Sequence, residues 1–222
     1  MALVPFTNYV ADVAPHLEGC PSPVLAQYIR KTFTDLCERA LIWRADLATV
    51  TLVAGTDAYT LVSPIAGTEV CSLVQAQLST ATNPQRQPLG ITTYDDVVAK
   101  YSFWPDPTID GYPLSVYRDS PAEFNVVPVP DNLDTYSVHI KAAVRPTLNA
   151  ANVEDTLMSE FRRVWFHGTI HELMLIPNKR WSNEKLAAYH GKQWEFFLNN
   201  ARAKSNKGFS TAPIYVQQQP WA

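Results

Sequence analysis

Apolar residues repeat at helical spacing near both ends of the chain and at strand spacing in between, and this change of period limits the fold to a helical part interrupted by a β-rich one. Between Leu47 and Pro146 the β-rich runs 49–53, 58–62, 69–78, 113–118, 124–129 and 136–144 are broken by Gly, Pro, Asn and Asp. Six runs in about a hundred residues predict a β-sandwich or small barrel. The 17 prolines against 8 glycines fit stiffened turns and edge strands better than flexible loops. One short helix should interrupt the strands, because Thr93 and Asp96 form a capping-box pattern ahead of Val97, Val98 and Tyr101.

The flanks read differently. Pro5 and Pro15 rule out a regular helix in the first twenty residues. Ser22 as N-cap and Pro23 at the first helical position then start a helix. Its apolar face is Leu25, Tyr28, Ile29, Phe33, Leu36, Ala40 and Trp43, and it should run to about Arg44, ~33 Å long. After Pro146, residues 156–176 are apolar nearly all round, which predicts a helix buried on several sides and stopped by Pro177. Ser182 reads as a second N-cap, with Glu184 in the first turn of a helix reaching about Lys204. That helix carries Leu186, Tyr189, Trp194, Phe197 and Ala201. The expected class is α+β. Residues 1–46 and 147–204 form an antiparallel helical bundle, 47–146 an inserted antiparallel β-sandwich or barrel-like domain, and 205–222 an extended C-terminal tail.

Composition narrows the function. A chain of 222 residues that is 46% hydrophobic buries a sizeable core. Residues 1–156 carry 9 basic and 17 acidic side chains, net −8, and residues 157–222 carry 9 and 4, net +5. An acidic body with a basic C-terminal third suits stacking against neighbours of opposite charge. Cys20, Cys37 and Cys71 are odd in number and lack a CxxC, which argues against a disulfide framework or zinc site and fits a cytosolic origin. With no basic residue before Arg30 and no long apolar run, neither a signal peptide nor a membrane span is expected.

Candidate chemistry is sparse. His167 and His171 share a helix face with Glu160 and Arg163, a spacing able to ligate a metal. The order is not HExxH, since Glu172 follows the second His, so the reading is a polar stripe facing water or a neighbouring subunit. Asp95 and Asp96 complement a helix dipole rather than forming an acid pair. Tyr101, Phe103, Trp104, Asp106, Asp110 and Tyr112 mix aromatics and carboxylates as sugar-binding loops do, but next to prolines they read first as a packed loop. GxGxxG, P-loop and GxSxG elements are missing from the sequence. Lys179, Arg180, Lys185 and Lys192 are too dispersed for specific nucleic-acid reading. No catalytic residue, metal or cofactor is assigned. Residues 205–222 contain no acid and one Lys, with Phe209, Ile214, Tyr215, Val216 and Trp221 among small and polar residues. Extended, they reach ~60 Å. Ordering costs about 1–2 kcal/mol per residue, so such a peptide stays fixed only where its aromatics are buried on a partner.

The ordered set of residues resembles the head-to-tail adaptor proteins of tailed bacteriophages, especially the short-tailed type. It comprises an early helix with Ala26, Phe33, Leu36, Cys37, Ala40 and Trp43, the run Asp57 to Leu61, and Gly111, Tyr112 and Pro113 with Val116 and Tyr117. It continues through Val126 to Asp131, Arg145 and Pro146, a helix with His167, Gly168, Ile170 and Leu173, the turn Pro177 to Trp181, and Ala187, Ala188, Tyr189 and Trp194. Thr169 departs from the pattern, which often has Ala there, and the ending Pro220–Trp221 does not map onto it. The resemblance implies a non-enzymatic virion protein, assembled in the host cytoplasm, that joins the portal vertex to the tail. It implies a homo-oligomer, a twelve-subunit ring beneath the portal protein, with tail or nozzle proteins below. Genomic DNA would pass through the lumen without sequence-specific contact, and no membrane is involved. The C-terminal segment, through Phe209, Ile214, Tyr215, Val216 and Trp221, would dock onto portal subunits. Phe161, Trp165, Phe166, Ile170, Trp181 and Trp194 would pack the bundle or the subunit boundary. The competing reading is a carbohydrate-binding or cell-wall-degrading β-module of a phage tail, resting on Trp104, Asp106, Asp110 and Tyr112.

Overall fold

The computed structural model describes residues 2–101, 104 and 109–208, and it is mixed α+β. In chain order the first elements are β1 (Leu3–Pro5), α1 (Val10–Val13), α2 (Ser22–Ala40), β2 (Arg44–Asp46), β3 (Val50–Thr51), β4 (Ala58–Thr60), β5 (Thr68–Thr80), β6 (Gln87–Ile91) and α3 (Tyr94–Lys100). There follow β7 (Asp110–Gly111), β8 (Ser115–Tyr117), β9 (Glu123–Val127), β10 (Val129–Pro130), β11 (Tyr136–Pro146) and β12 (Asn152–Glu154). The chain ends in α4 (Asp155–Glu160), α5 (Arg162–Met174) and α6 (Glu184–Asn206). It divides into two compact units, residues 1–42 with 151–222, and residues 43–150.

In the first unit α2 buries Leu25, Ile29, Thr32, Phe33, Leu36, Cys37 and Ala40, a stripe at helical spacing. Ser22 is the first helical residue rather than the cap, with Pro21 before it in extended conformation. The helix stops at Ala40, short of the expected Arg44, because Leu41 turns left-handed at φ 51 while its N–H still donates to the Cys37 carbonyl. The single helix expected over 156–176 is two. Phe161 leaves helical geometry at φ −101, ψ 23 and separates α4 from α5. Trp165, fully buried, closes the joint by donating from Nε1 to the Met158 carbonyl at 2.8 Å. The turn after Pro177 is set by Asn178 at φ 59. Asn183, not Ser182, caps α6, its side chain accepting from the Leu186 N–H, while Ser182 Oγ donates to the Ile176 carbonyl. The N-terminal segment adds β1, paired antiparallel with β12.

The second unit is built on β5 and β11, which pair antiparallel from Tyr136↔Thr80 to Pro146↔Thr68. Register shifts at Lys141/Ala142 and Ala143/Val144 bend this ribbon. The eight-stranded sheet runs β2-β11-β5-β6-β8-β9-β4, with β3 also on β11. Of the expected antiparallel β-sandwich or barrel-like domain, the structure has a single eight-stranded sheet of mostly antiparallel pairs; the departure is that β6 pairs β8 in parallel, and β7 pairs β10 in parallel in a separate two-stranded sheet. The parallel pair arises because α3 carries the chain from β6 toward β8, and a crossover of that kind returns the next strand in the same direction. Thr93 and Asp96 form the predicted capping box on α3.

Candidate functional site

The site with the most defined geometry lies between α5 and α6. Two glycines let these helices approach. A Cβ on Gly168 would stand 2.3 Å from Thr32 Cγ2 and 3.0 Å from the Trp194 ring, and one on Gly191 would stand 2.8 Å from the His171 ring. The helices run antiparallel, since His167 meets His190 while His171 meets Ala187. His171 Nδ1 donates to the Ala187 carbonyl at 2.8 Å, and its ring stacks on Trp194 at 6.2 Å between centroids. His167 Nδ1 lies 2.9 Å from His190 Nδ1, so one ring donates and the other accepts. The His167 ring also stacks on Phe197 at 5.6 Å, and Phe166 sits edge-on to His16, His167 and His190.

Burial sets the charge state of this cluster. It pushes His167 below the ordinary histidine value, with Arg163 and His16 adding to the depression. It pushes His190 down to about 4, with His167, His16 and His171 adding. Both rings are therefore neutral near pH 7. Of the expected polar stripe facing water or a neighbouring subunit, the water-facing alternative does not hold for His167 and His171: they point into the seam between α5 and α6, half-buried, where His167 meets His190 and His171 a backbone carbonyl. His190, which completes the pair, carries no local sequence signal; it is found only once the two helices are aligned. Among the described residues no group of three or more His, Cys, Asp or Glu is placed to hold a metal ion. No helix among them is long and apolar enough to cross a membrane.

Beside the histidines an open groove of about 870 Å³ runs along α6. One wall is a single stripe of α6: Tyr189, Gln193, Phe197, Asn200, Ala201 and Lys204. The other wall comes from α4, the Phe161 joint and the first turns of α5, including Val164 and Phe166. Its cations already have partners. Lys204 pairs with Glu160 and lies over the Phe161 ring, Arg162 pairs with Asp12 at 3.0 Å, and Arg163 lies 5.6 Å over the Phe197 ring. Among the groove's aromatic residues Tyr189 is exposed and Phe166 and Phe197 are half-buried.

The packing residues named from sequence divide between core and margin. Phe161, Trp165, Ile170 and Trp194 are buried in the helical unit, whereas Phe166 and Trp181 are half-buried. Phe209, Ile214, Tyr215, Val216 and Trp221 lie outside the described residues, as do Phe103 and Asp106. In the other unit Trp104 is 5% exposed and donates from Nε1 to the Tyr117 hydroxyl at 2.9 Å, within a cluster with Val97, Val127 and Val129. It is a core residue, not a platform offered to a sugar. Asp110 and Tyr112 are exposed, and Tyr112 donates to Gln87 Oε1 at 2.9 Å.

The chain thus has a helical unit interrupted by a β-rich one, with ion pairs bordering an open groove along α6. The family model described as SU10 adaptor protein matches residues 6–214, which covers both units, and the chain belongs to that family. No curated protein matches it.

Proposed function

We propose that the chain is a non-enzymatic virion protein of a tailed phage, the adaptor that joins the portal vertex of the head to the tail. The observation that carries this reading is the family match over residues 6–214, which includes both units and runs into the C-terminal segment. In this reading residues 1–46 and 147–204 form the helical bundle of each subunit, 47–146 the β insert, and twelve copies close a ring beneath the portal protein. The C-terminal segment docks on portal subunits through Phe209, Ile214, Tyr215, Val216 and Trp221. Tail or nozzle proteins bind below, and the genome passes through the lumen without base-specific contact. Closed symmetry makes modest contacts sufficient, because each additional subunit engages at high effective concentration.

The test is assembly in vitro. The purified chain is mixed with purified portal rings and imaged by electron microscopy. The expected result is an added layer with the portal's own rotational symmetry, lost or much weakened when residues 209–222 are deleted. A chain that ignores portal rings and stays dispersed overturns the reading; retention of full binding without residues 209–222 removes the docking role of that segment.

A further inference from the structure

We infer that the groove between α4/α5 and α6 is the resting place of the chain's own C-terminal segment, residues 209–222, before the chain meets any partner. Three observations lead there. The groove wall on α6 is a continuous stripe from Tyr189 to Lys204, about 22 Å long at 1.5 Å per residue, and its far end is one turn from where α6 stops. Gly208 follows the helix at φ 63, a left-handed conformation that turns a chain out of the helical path. The 14 residues beyond it, extended, reach roughly 46 Å, twice the length of the groove.

The chemistry of the two surfaces matches. Asp12 and Glu160 pair with Arg162 and Lys204, and Arg163 lies over the Phe197 ring, so most of the groove's positive charge is already matched by carboxylates within the fold. Its solvent-facing surface is Tyr189, with the half-buried Phe166 and Phe197 beside it and the amides of Gln193 and Asn200. Residues 209–222 contain no Asp, Glu, Lys or Arg, and carry Phe209, Ile214, Tyr215, Val216 and Trp221 between hydroxyl and amide side chains. An uncharged aromatic peptide is the ligand this groove fits. Attachment at Gly208 supplies it at millimolar effective concentration, so the same chain's segment outcompetes a free copy in dilute solution. A segment run back from Gly208 at ~3.3 Å per residue would bring position 212 within a turn or so of Asn200. A parked segment covers apolar surface in the free chain and is available to a partner that binds it more tightly.

The experiment uses the full-length chain, with Cys20→Ser and Cys71→Ser leaving only the fully buried Cys37. Ala212→Cys is combined with Asn200→Cys, which lines the groove, or with Asn199→Cys, one residue away on a different face of α6. Under mild oxidation without any portal protein, the 200/212 pair is expected to form an intrachain disulfide at least about tenfold faster than 199/212, at a rate independent of protein concentration. Equal rates, no link in either variant, or links only between chains overturn the inference. The readout is on the free chain, so failure here leaves portal binding untouched, and failure to bind portal rings leaves this result intact.

Discussion

His167 and His190 present the same ring atom to each other, Nδ1 to Nδ1 at 2.9 Å, and a single proton serves the contact. Two charged imidazoles cannot sit so, and both values are depressed, His190 to about 4, with Arg163, His16 and His171 facing the pair. Unfolded, each histidine titrates near ~6.5. The folded values lie below that, so between them the unfolded chain binds more protons and stability rises with pH. Stability held above pH ~6.5 is therefore lost as the pH falls toward the folded values. Melting temperatures from about pH 7 to about pH 4.5 should fall more steeply for the wild type than for His190→Gln, since carboxylate titrations are common to both. Parallel curves would contradict the assignment.

Gly168 is where α2, α5 and α6 come closest. Ala in its place gains ~1 kcal/mol of helix propensity. It also drives a Cβ to 2.3 Å from Thr32 Cγ2, and overpacking of this kind costs about 1–3 kcal/mol or more. At so short an approach the clash wins, and Gly168→Ala should lose about 2 kcal/mol in urea denaturation. Adding Thr32→Ser removes the offending methyl and should restore part of that loss, a coupling that unrelated sites would not show.

Trp104 separates a core residue from a ligand platform. Its indole N–H is bonded to the Tyr117 hydroxyl, and both side chains are buried. Trp104→Phe leaves that hydroxyl unpaired in the interior and should cost about 1–3 kcal/mol. Trp104→Ala empties the site and should cost about 3–5 kcal/mol. Thermal unfolding measures both. A Trp104→Ala chain as stable as the wild type would return the residue to the surface and reopen the carbohydrate reading.

Periodicity and caps made the long elements legible. The face of α2, the capping box of Thr93 and Asp96, and the strands β5 and β11 follow from spacing and residue type, though not the pairing of those two strands. Boundaries set by single backbone conformations were not legible: Leu41 is a left-handed leucine and Phe161 a break inside a stretch of helical spacing, and neither residue type announces it. β2 and β6 lacked the branched, alternating pattern, because Arg44–Asp46 and Gln87–Ile91 are strands held by their neighbours rather than by propensity. At the site, His167 and His171 were found by their shared face. His190 and the groove depend on two helices meeting in one register, which is a property of the pair and not of either segment.

Thr32 and Ser205 are buried hydroxyls of the helical unit with opposite energetics. Ser205 Oγ donates to the Leu41 carbonyl at 2.8 Å and ties the end of α6 to the end of α2. Thr32 is 1% exposed, and its Oγ1 has no hydrogen-bond partner among the described residues. A satisfied buried hydroxyl contributes about 1 kcal/mol, whereas an unsatisfied one costs a comparable amount in lost hydration. Ser205→Ala should thus destabilise by about 1 kcal/mol, and Thr32→Val, which keeps the branched shape, should stabilise by about 1 kcal/mol. Urea midpoints at constant slope read both changes. Loss of stability in Thr32→Val would mean that its hydroxyl has a partner, such as a buried water shared with the unpaired Trp194 Nε1 beside it.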